Sequence, residues 1–381
     1  HSRLTTGFAM IAAPLWPPSG TWLPVAGLSR ASGRLGSGQP GQRQPGTWDQ
    51  SRRGQGRGRC QSAAWSAIVG GAALGARSRA RCASHSNSAS PLDLFPVPGS
   101  PEIELEVLGG EGDGSKVQPF TLLLIHGSYH AAWCYEENFL SFFRGQGFHT
   151  YALSLRGQGR GKMIPKLPVA GALEEHASDI QAYVHHLREL HGQPVVLLGH
   201  SFGGLMVLQA AAALKDSPGA LAGLILLCSV PPAGNVGIIL RSLFKAPLQA
   251  LRITWGFVAR AFERDAELCR QLFFDADTSA EDVGKYMDLM KEGCPEGTRL
   301  LDLRQLQRSL PVEACGHAPV LVLGGDADVI VDKEALEEAA AAHGVEPVVL
   351  QGVAHDAMLG ARWKMAADAI LGWLAHVKPE A

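Results

Sequence analysis

Val195-Val-Leu-Leu-Gly-His-Ser-Phe-Gly-Gly-Leu-Met206 changes character halfway along. The first half is a short apolar run of strand-forming residues, and the second begins a helical spacing with Leu205, Leu208 and Ala212. At the junction lies Gly199-His200-Ser201-Phe202-Gly203, a Gly-x-Ser-x-Gly turn between strand and helix. A serine on so sharp a turn is held at strained dihedrals, and the residues two positions away must lack side chains for the backbones to pass. The helix behind it aims its N-terminal amides at the point where negative charge would develop. In a chain with 45 glycines the five-residue pattern alone is weak, because composition can produce it by accident. Between a buried strand and an amphipathic helix, it marks Ser201 as a candidate nucleophile.

Working outward toward the N-terminus, residues 172–191 read as an amphipathic helix through Leu173, Ile180, Tyr183, Val184, Leu187 and Leu190. Before it come a strand, His149 to Leu155, and a glycine-rich loop, Arg156 to Gly161. Thr121-Leu-Leu-Leu-Ile125 is a continuous apolar run, as expected of a strand covered on both faces, and it ends in His126-Gly127-Ser128-Tyr129-His130. A helix pattern follows through Phe139, Phe142 and Phe143. Ile103-Glu-Leu-Glu-Val-Leu108 alternates, which predicts a half-exposed edge strand, with Gly109 to Ser115 as a hairpin connection. Toward the C-terminus, Leu224 to Val230 is a strand closed by Pro231-Pro232. Residues 233–316 show helix-length patterns but no clear buried strand, and are expected to form a helical cap over the site. The sheet resumes at 318–325, followed by a helix at 333–342, a strand at 346–350 and a closing helix at 362–377. Strand and helix alternating at this spacing predict the α/β class, a mostly parallel sheet with helices on both faces.

In such a sheet the partners of Ser201 belong at the C-terminal ends of later strands, acid before histidine. One late strand delivers Asp326-Ala327-Asp328, and the next delivers Gln351-Gly-Val-Ala-His355-Asp356. His355 is the candidate general base, taking the Ser201 proton and returning it to the leaving group. Asp328 is favoured over Asp326 as the acid that fixes its tautomer, because reaching the histidine needs a few loop residues beyond the strand. His126 and His130 stand at i, i+4, but with no third ligand evident no metal site is expected, and no cofactor either. His200 reads as a packing residue, and His185-His186 as a solvated helix face.

Residues 1–90 do not share this organisation. They carry eleven arginines (Arg3 through Arg81) and one acid, Asp49, in a Gly-, Ser-, Pro- and Ala-rich background without a sustained amphipathic period. Arginine-rich, serine-rich and acid-poor is the pattern of an organelle transit peptide, and a plastid is preferred to a mitochondrion. The rival readings are a secretory signal in Phe8 to Trp16, broken by Pro14, and a nucleic-acid-binding tail. Of the formal net charge of −2, this segment contributes about +10, leaving the folded part, 91–381, near −12. An acidic body argues against nucleic acid and anionic membrane surfaces as partners. The seven cysteines are odd in number and lack C-x-x-C spacing, which fits a reducing compartment without disulfides or zinc. No apolar run is long enough to span a bilayer.

These motifs together resemble the α/β-hydrolase fold, in particular its capped, esterase-like and lysophospholipase-like group. The resemblance covers 91–381. His126-Gly127 is similar to the family's oxyanion loop, Gly199–Gly203 to its elbow, Gly325 to Asp328 to its acid motif and Val353-Ala-His355 to its histidine loop. Trp133-Cys134 after His130 also resembles plant methylesterases and hydroxynitrile lyases. Gln158 stands where the family commonly has a histidine, in a loop that is normally structural. The resemblance implies an oxyanion hole made of the Ser128 and Phe202 amides, with His126 as a structural hydrogen-bonder. A serine nucleophile argues against the carboxylate-based epoxide hydrolases and haloalkane dehalogenases. Leu243, Phe244, Leu248, Trp255, Phe257, Phe262, Phe273 and Phe274 in the expected cap favour a lipophilic small-molecule ester, for example a lysolipid or monoacylglycerol. A thioesterase, a carbon–carbon hydrolase, a hydroxynitrile lyase and a slow-turnover small-molecule receptor remain open, because fold alone does not separate them.

Overall fold

Four apolar runs make the centre of one sheet, and everything else is arranged around their ends. The computed structural model describes residues 93–113, 116–302, 310 and 318–378, so the expected leader, 1–90, lies outside the described residues. The chain enters through β1 (Asp93–Val97), β2 (Ser100–Gly110) and β3 (Thr121–Ile125), then α1 (Trp133–Glu136) and α2 (Phe139–Gly145). Next come β4 (Thr150–Leu153), β5 (Lys162–Met163), β6 (Val169–Gly171) and α3 (Leu173–His191). The elbow joins β7 (Val195–His200) to α4 (Gly203–Leu214), and β8 (Leu221–Leu227) follows. The insertion holds α5 (Val236–Lys245), α6 (Pro247–Val258), α7 (Ala266–Phe273), α8 (Ala280–Gly293) and β9 (Arg299–Leu301). The fold closes with β10 (Val320–Gly325), α9 (Lys333–Ala342), β11 (Val348–Leu350) and α10 (Trp363–Leu374).

The main sheet runs β1-β2-β4-β3-β7-β8-β10-β11, with β5 also on β2. From β4 to β11 all pairs are parallel, while β1, β2 and β5 add antiparallel pairs at one side. Every residue of β3, β4 and β7 is buried, as their unbroken apolar runs require. The period of two divides them between two cores. Leu122 and Leu124 pack with Phe139, Phe143 and Ile370 on one face. Leu123 and Ile125 pack with Ile180, Leu187, Leu208 and Leu336 on the other. Each such leucine or isoleucine contributes about 1.5–3 kcal/mol by leaving water. Three helices begin at a side-chain cap: Asp265, Ser279 and Asp332 accept from the amides of Leu268, Asp282 and Ala335. Among the described residues, no helix is long and apolar enough to cross a membrane.

Three expectations need correcting. Ile103–Leu108 is not an edge strand, because β1 covers one side of β2 and β4 the other. Its alternating acid Glu106 faces inward, accepting from Ser154 Oγ at 2.7 Å and from the Arg160 guanidinium at 2.5 Å. Nor does Gly109–Ser115 close a hairpin, since β4 lies between β2 and β3 and Gly109 and Gly110 still belong to the strand. The insertion also contains a strand: β9 pairs in parallel with β6 as a small second sheet.

Candidate active site

Ser201 sits between the end of β7 and the start of α4 at φ +54°. That left-handed value costs a side-chain-bearing residue about 1–3 kcal/mol, and it persists only where the surroundings impose it. The flanking glycines supply the room. A Cβ on Gly199 would lie 2.6 Å from the Gly203 carbonyl oxygen, and one on Gly203 only 2.5 Å from that of His126. The loop after β3 passes equally close to the serine, because a Cβ on Gly127 would lie 2.7 Å from Ser201 Cβ. The Ser128 and Phe202 amides flank this serine in sequence and through that loop, and among the described residues neither donates a hydrogen bond.

The ends of β10 and β11 bring Asp328 and His355 together. His355 Nδ1 donates to Asp328 Oδ2 at 2.8 Å. The other carboxylate oxygen, Oδ1, accepts from the amides of Ile330 and Val331 at 2.8 and 2.9 Å, which fixes its orientation. Asp326 turns elsewhere, accepting from the Gly352 amide at 2.5 Å. Burial would lower the pKa of His355, but the Asp328 carboxylate and its hydrogen bond, with Asp356 behind them, raise it above the ordinary histidine value. With Nδ1–H donating its hydrogen bond to Asp328, Nε2 of the neutral ring is the nitrogen free to accept a proton.

Two histidines serve the scaffold. His126 Nδ1 donates to the Gly127 carbonyl at 2.8 Å while Nε2 accepts from the Leu155 amide at 2.9 Å, and burial depresses its pKa to about 3. His200 is also fully buried, its pKa lowered to about 3 by burial and then by His355. It donates from Nε2 to the His355 carbonyl at 3.0 Å, and the two rings lie 4.9 Å apart. Since His200 immediately precedes Ser201, this contact ties the loop that carries His355 to the elbow.

One acidic residue was not singled out from the sequence. Asp356, next to His355, is buried and accepts from His130 Nε2 at 2.8 Å. The partner lies 226 positions away in sequence, so pattern alone gives no link. The available signals were the acid directly beside the candidate base and the His126-x3-His130 spacing. Two groups of metal-ligating type, His200–His355–Asp356 and Cys228–Asp328–His355, overlap this same centre. Of their nitrogens, His355 Nδ1 holds Asp328 and His200 Nε2 holds the His355 carbonyl. Burial pushes the Cys228 thiol well up, so it stays protonated.

The apolar residues of the insertion divide into two groups. Phe262, Phe273 and Phe274 are buried, and Phe257 and Phe262 pack on Tyr129, with ring centroids at 5.6 and 5.0 Å, one residue beyond Ser128. Leu243, Phe244, Leu248 and Trp255 are exposed instead, Phe244 by 87%. A cavity of about 390 Å³ opens away from Ser201, between Ile103, Met163, Leu167 and Arg156. Its guanidinium is already engaged by Asp179 and Glu175.

The family model described as the alpha/beta hydrolase family matches residues 122–369, which include the elbow, both loops and the insertion. The chain belongs to that family. No curated protein matches it in sequence. Among solved structures it is similar to a bromoperoxidase from Bacillus anthracis, with 19% identity and a TM-score of 0.55 over 74% of this chain and 99% of that one. A putative lipase from Acinetobacter baumannii gives 19% and 0.54 over 74% and 90%. A thermophilic esterase from Thermogutta terrifontis gives 21% and 0.51 over 75% and 98%. At such identities these likenesses speak to the fold alone.

Proposed function

We propose that the protein is a serine hydrolase that cleaves carboxylic esters through an acyl-enzyme on Ser201. The observation that carries this reading is the 2.8 Å bond between Asp328 and His355, formed at the ends of two late strands beside a serine held at φ +54°. His355 Nε2 takes the Ser201 proton as Oγ attacks the acyl carbon, and the Ser128 and Phe202 amides receive the oxyanion. Asp328 stabilises the resulting imidazolium, which passes its proton to the departing alkoxide. Water, deprotonated by His355, then attacks the acyl-enzyme, releases the carboxylic acid and restores Ser201. The aromatic wall of Tyr129, Phe257 and Phe262 beside Ser128 supports a lipophilic, lysolipid-like substrate, with α5–α8 as the cap over it. Residues 1–90 are proposed as a chloroplast leader, to be tested by fusing them to a fluorescent protein.

The test is turnover of nitrophenyl esters from short to long acyl chains, by the wild type and by Ser201→Ala. Chain-length-dependent hydrolysis that disappears with Ser201→Ala supports the reading. Hydrolysis that survives the substitution refutes it.

A further inference from the structure

We propose that Asp356 and His130 form a second acid–imidazole pair, which touches no substrate but positions His355 and the Ser128 loop against each other. The inference rests on the reading of His355 as the base.

His130 has an acceptor at each ring nitrogen: the Ser128 carbonyl 2.9 Å from Nδ1 and the Asp356 carboxylate 2.8 Å from Nε2. A neutral imidazole carries one N–H and can donate to only one of them. With Asp356 ionised, both bonds require a proton on each nitrogen, so the ring is a donor at both ends. The Asp356 carboxyl agrees: burial would raise its pKa, but His130, its hydrogen bond, His200 and His355 hold it below the usual range. The Trp133 ring stacks over His130 at 5.4 Å and 23°, a face that favours a cation.

Such a pair is expensive to bury. Its side chains are 1% and 0% exposed, and isolated buried ion pairs barely repay their desolvation. What this one achieves is connection. Asp356 is joined covalently to His355. Through His130 it reaches the Ser128 carbonyl, whose own residue supplies a candidate oxyanion amide. Its second oxygen, Oδ1, has no hydrogen bond among the described residues and lies 3.7 Å from His200 Nε2, which holds the His355 carbonyl. Asp356 thus joins the oxyanion loop to the base loop, and the His200–His355 bond joins the base loop to the elbow.

Its charge also bears on the base. The titratable groups facing His355 are Asp328, Asp356, His200 and the Cys228 thiol. Near Asp356, burial keeps the thiols of Cys134 and Cys269 and the phenols of Tyr135 and Tyr286 neutral, leaving His130 as the donor that offsets it. Asp356 therefore favours the His355 imidazolium, and His130 restrains that effect. The two substitutions should move the acid limb of the rate in opposite directions.

The experiment measures kcat, KM and the pH profile of nitrophenyl ester hydrolysis for the full chain and for Asp356→Asn, His130→Gln and the double variant. Thermal unfolding serves as a check on folding. Asp356→Asn should lower kcat about 10–100-fold with KM little changed, and shift the acid limb to lower pH. His130→Gln should lower kcat and shift the limb to higher pH. The double variant should be no worse than the poorer single one, as expected of residues acting as a unit. If Asp356→Asn does not fold, His130→Gln decides alone by the direction of its limb. Unchanged kcat and limb in the folded variants, with Ser201→Ala inactive, would overturn this inference and leave the hydrolase reading standing. Turnover that survives Ser201→Ala would overturn both.

Discussion

Apolar side chains behave oppositely in the sheet and in the first two helices of the insertion. In β3 and β7 they are buried without exception. In α5 and α6 they line outward faces: Ile239, Leu240, Leu243 and Phe244 on one helix, and Leu248, Leu251 and Trp255 on the next, with Leu248 82% exposed. The difference lies in what each pattern can report. An unbroken apolar strand has both faces to cover, so its run length fixes its place in the interior and, through its end, the place of the site. An amphipathic helix reports only that one face differs from the other, not which of them meets the core.

The largest expected effect falls on the sheet side. Asp328→Asn should lower kcat by about 10⁴-fold, because the base loses the partner that sets its tautomer. Asp326→Asn, whose carboxylate accepts from the Gly352 amide rather than from His355, should leave turnover essentially unchanged. Equal losses would show that the acid was misassigned. Next comes the core itself. Leu198→Ala, buried in β7, should destabilise the fold by about 2–5 kcal/mol in urea titration. A smaller but directional effect concerns pH. His355 must be neutral to accept a proton, and its folded pKa is raised, so kcat/KM should fall as pH drops through a midpoint above the ordinary histidine value of 6.5. A midpoint below that value would contradict the charge environment described. The smallest effect belongs to the insertion, where Phe244→Ser should change stability by no more than about 0.5 kcal/mol. A large loss there would mean that its outward face is covered.

What could be read in the sequence followed the same division. Ser201, Asp326, Asp328 and His355 could be located at strand ends because each follows a strand whose apolar run declares its own end. β1 was missed, since Asp93-Leu-Phe-Pro-Val97 is short and carries Pro96, and with it went the true position of β2. Glu106 was misread because a charge in an alternating strand looks solvated until its partners Ser154 and Arg160 are folded against it. Asp356 and His130 were not paired for the same reason, as their contact exists only in three dimensions. In α5 and α6 the helices were legible from their period, but the direction their apolar faces take was not.

The most direct measurement of the central claim is covalent: react the folded protein with a fluorophosphonate and map the adduct by peptide mass spectrometry. One phosphonyl group per chain on Ser201, absent from Ser201→Ala and strongly slowed in His355→Ala, is the result predicted by a serine activated by His355 and Asp328. An unlabelled folded protein, or an adduct on another residue, would contradict it.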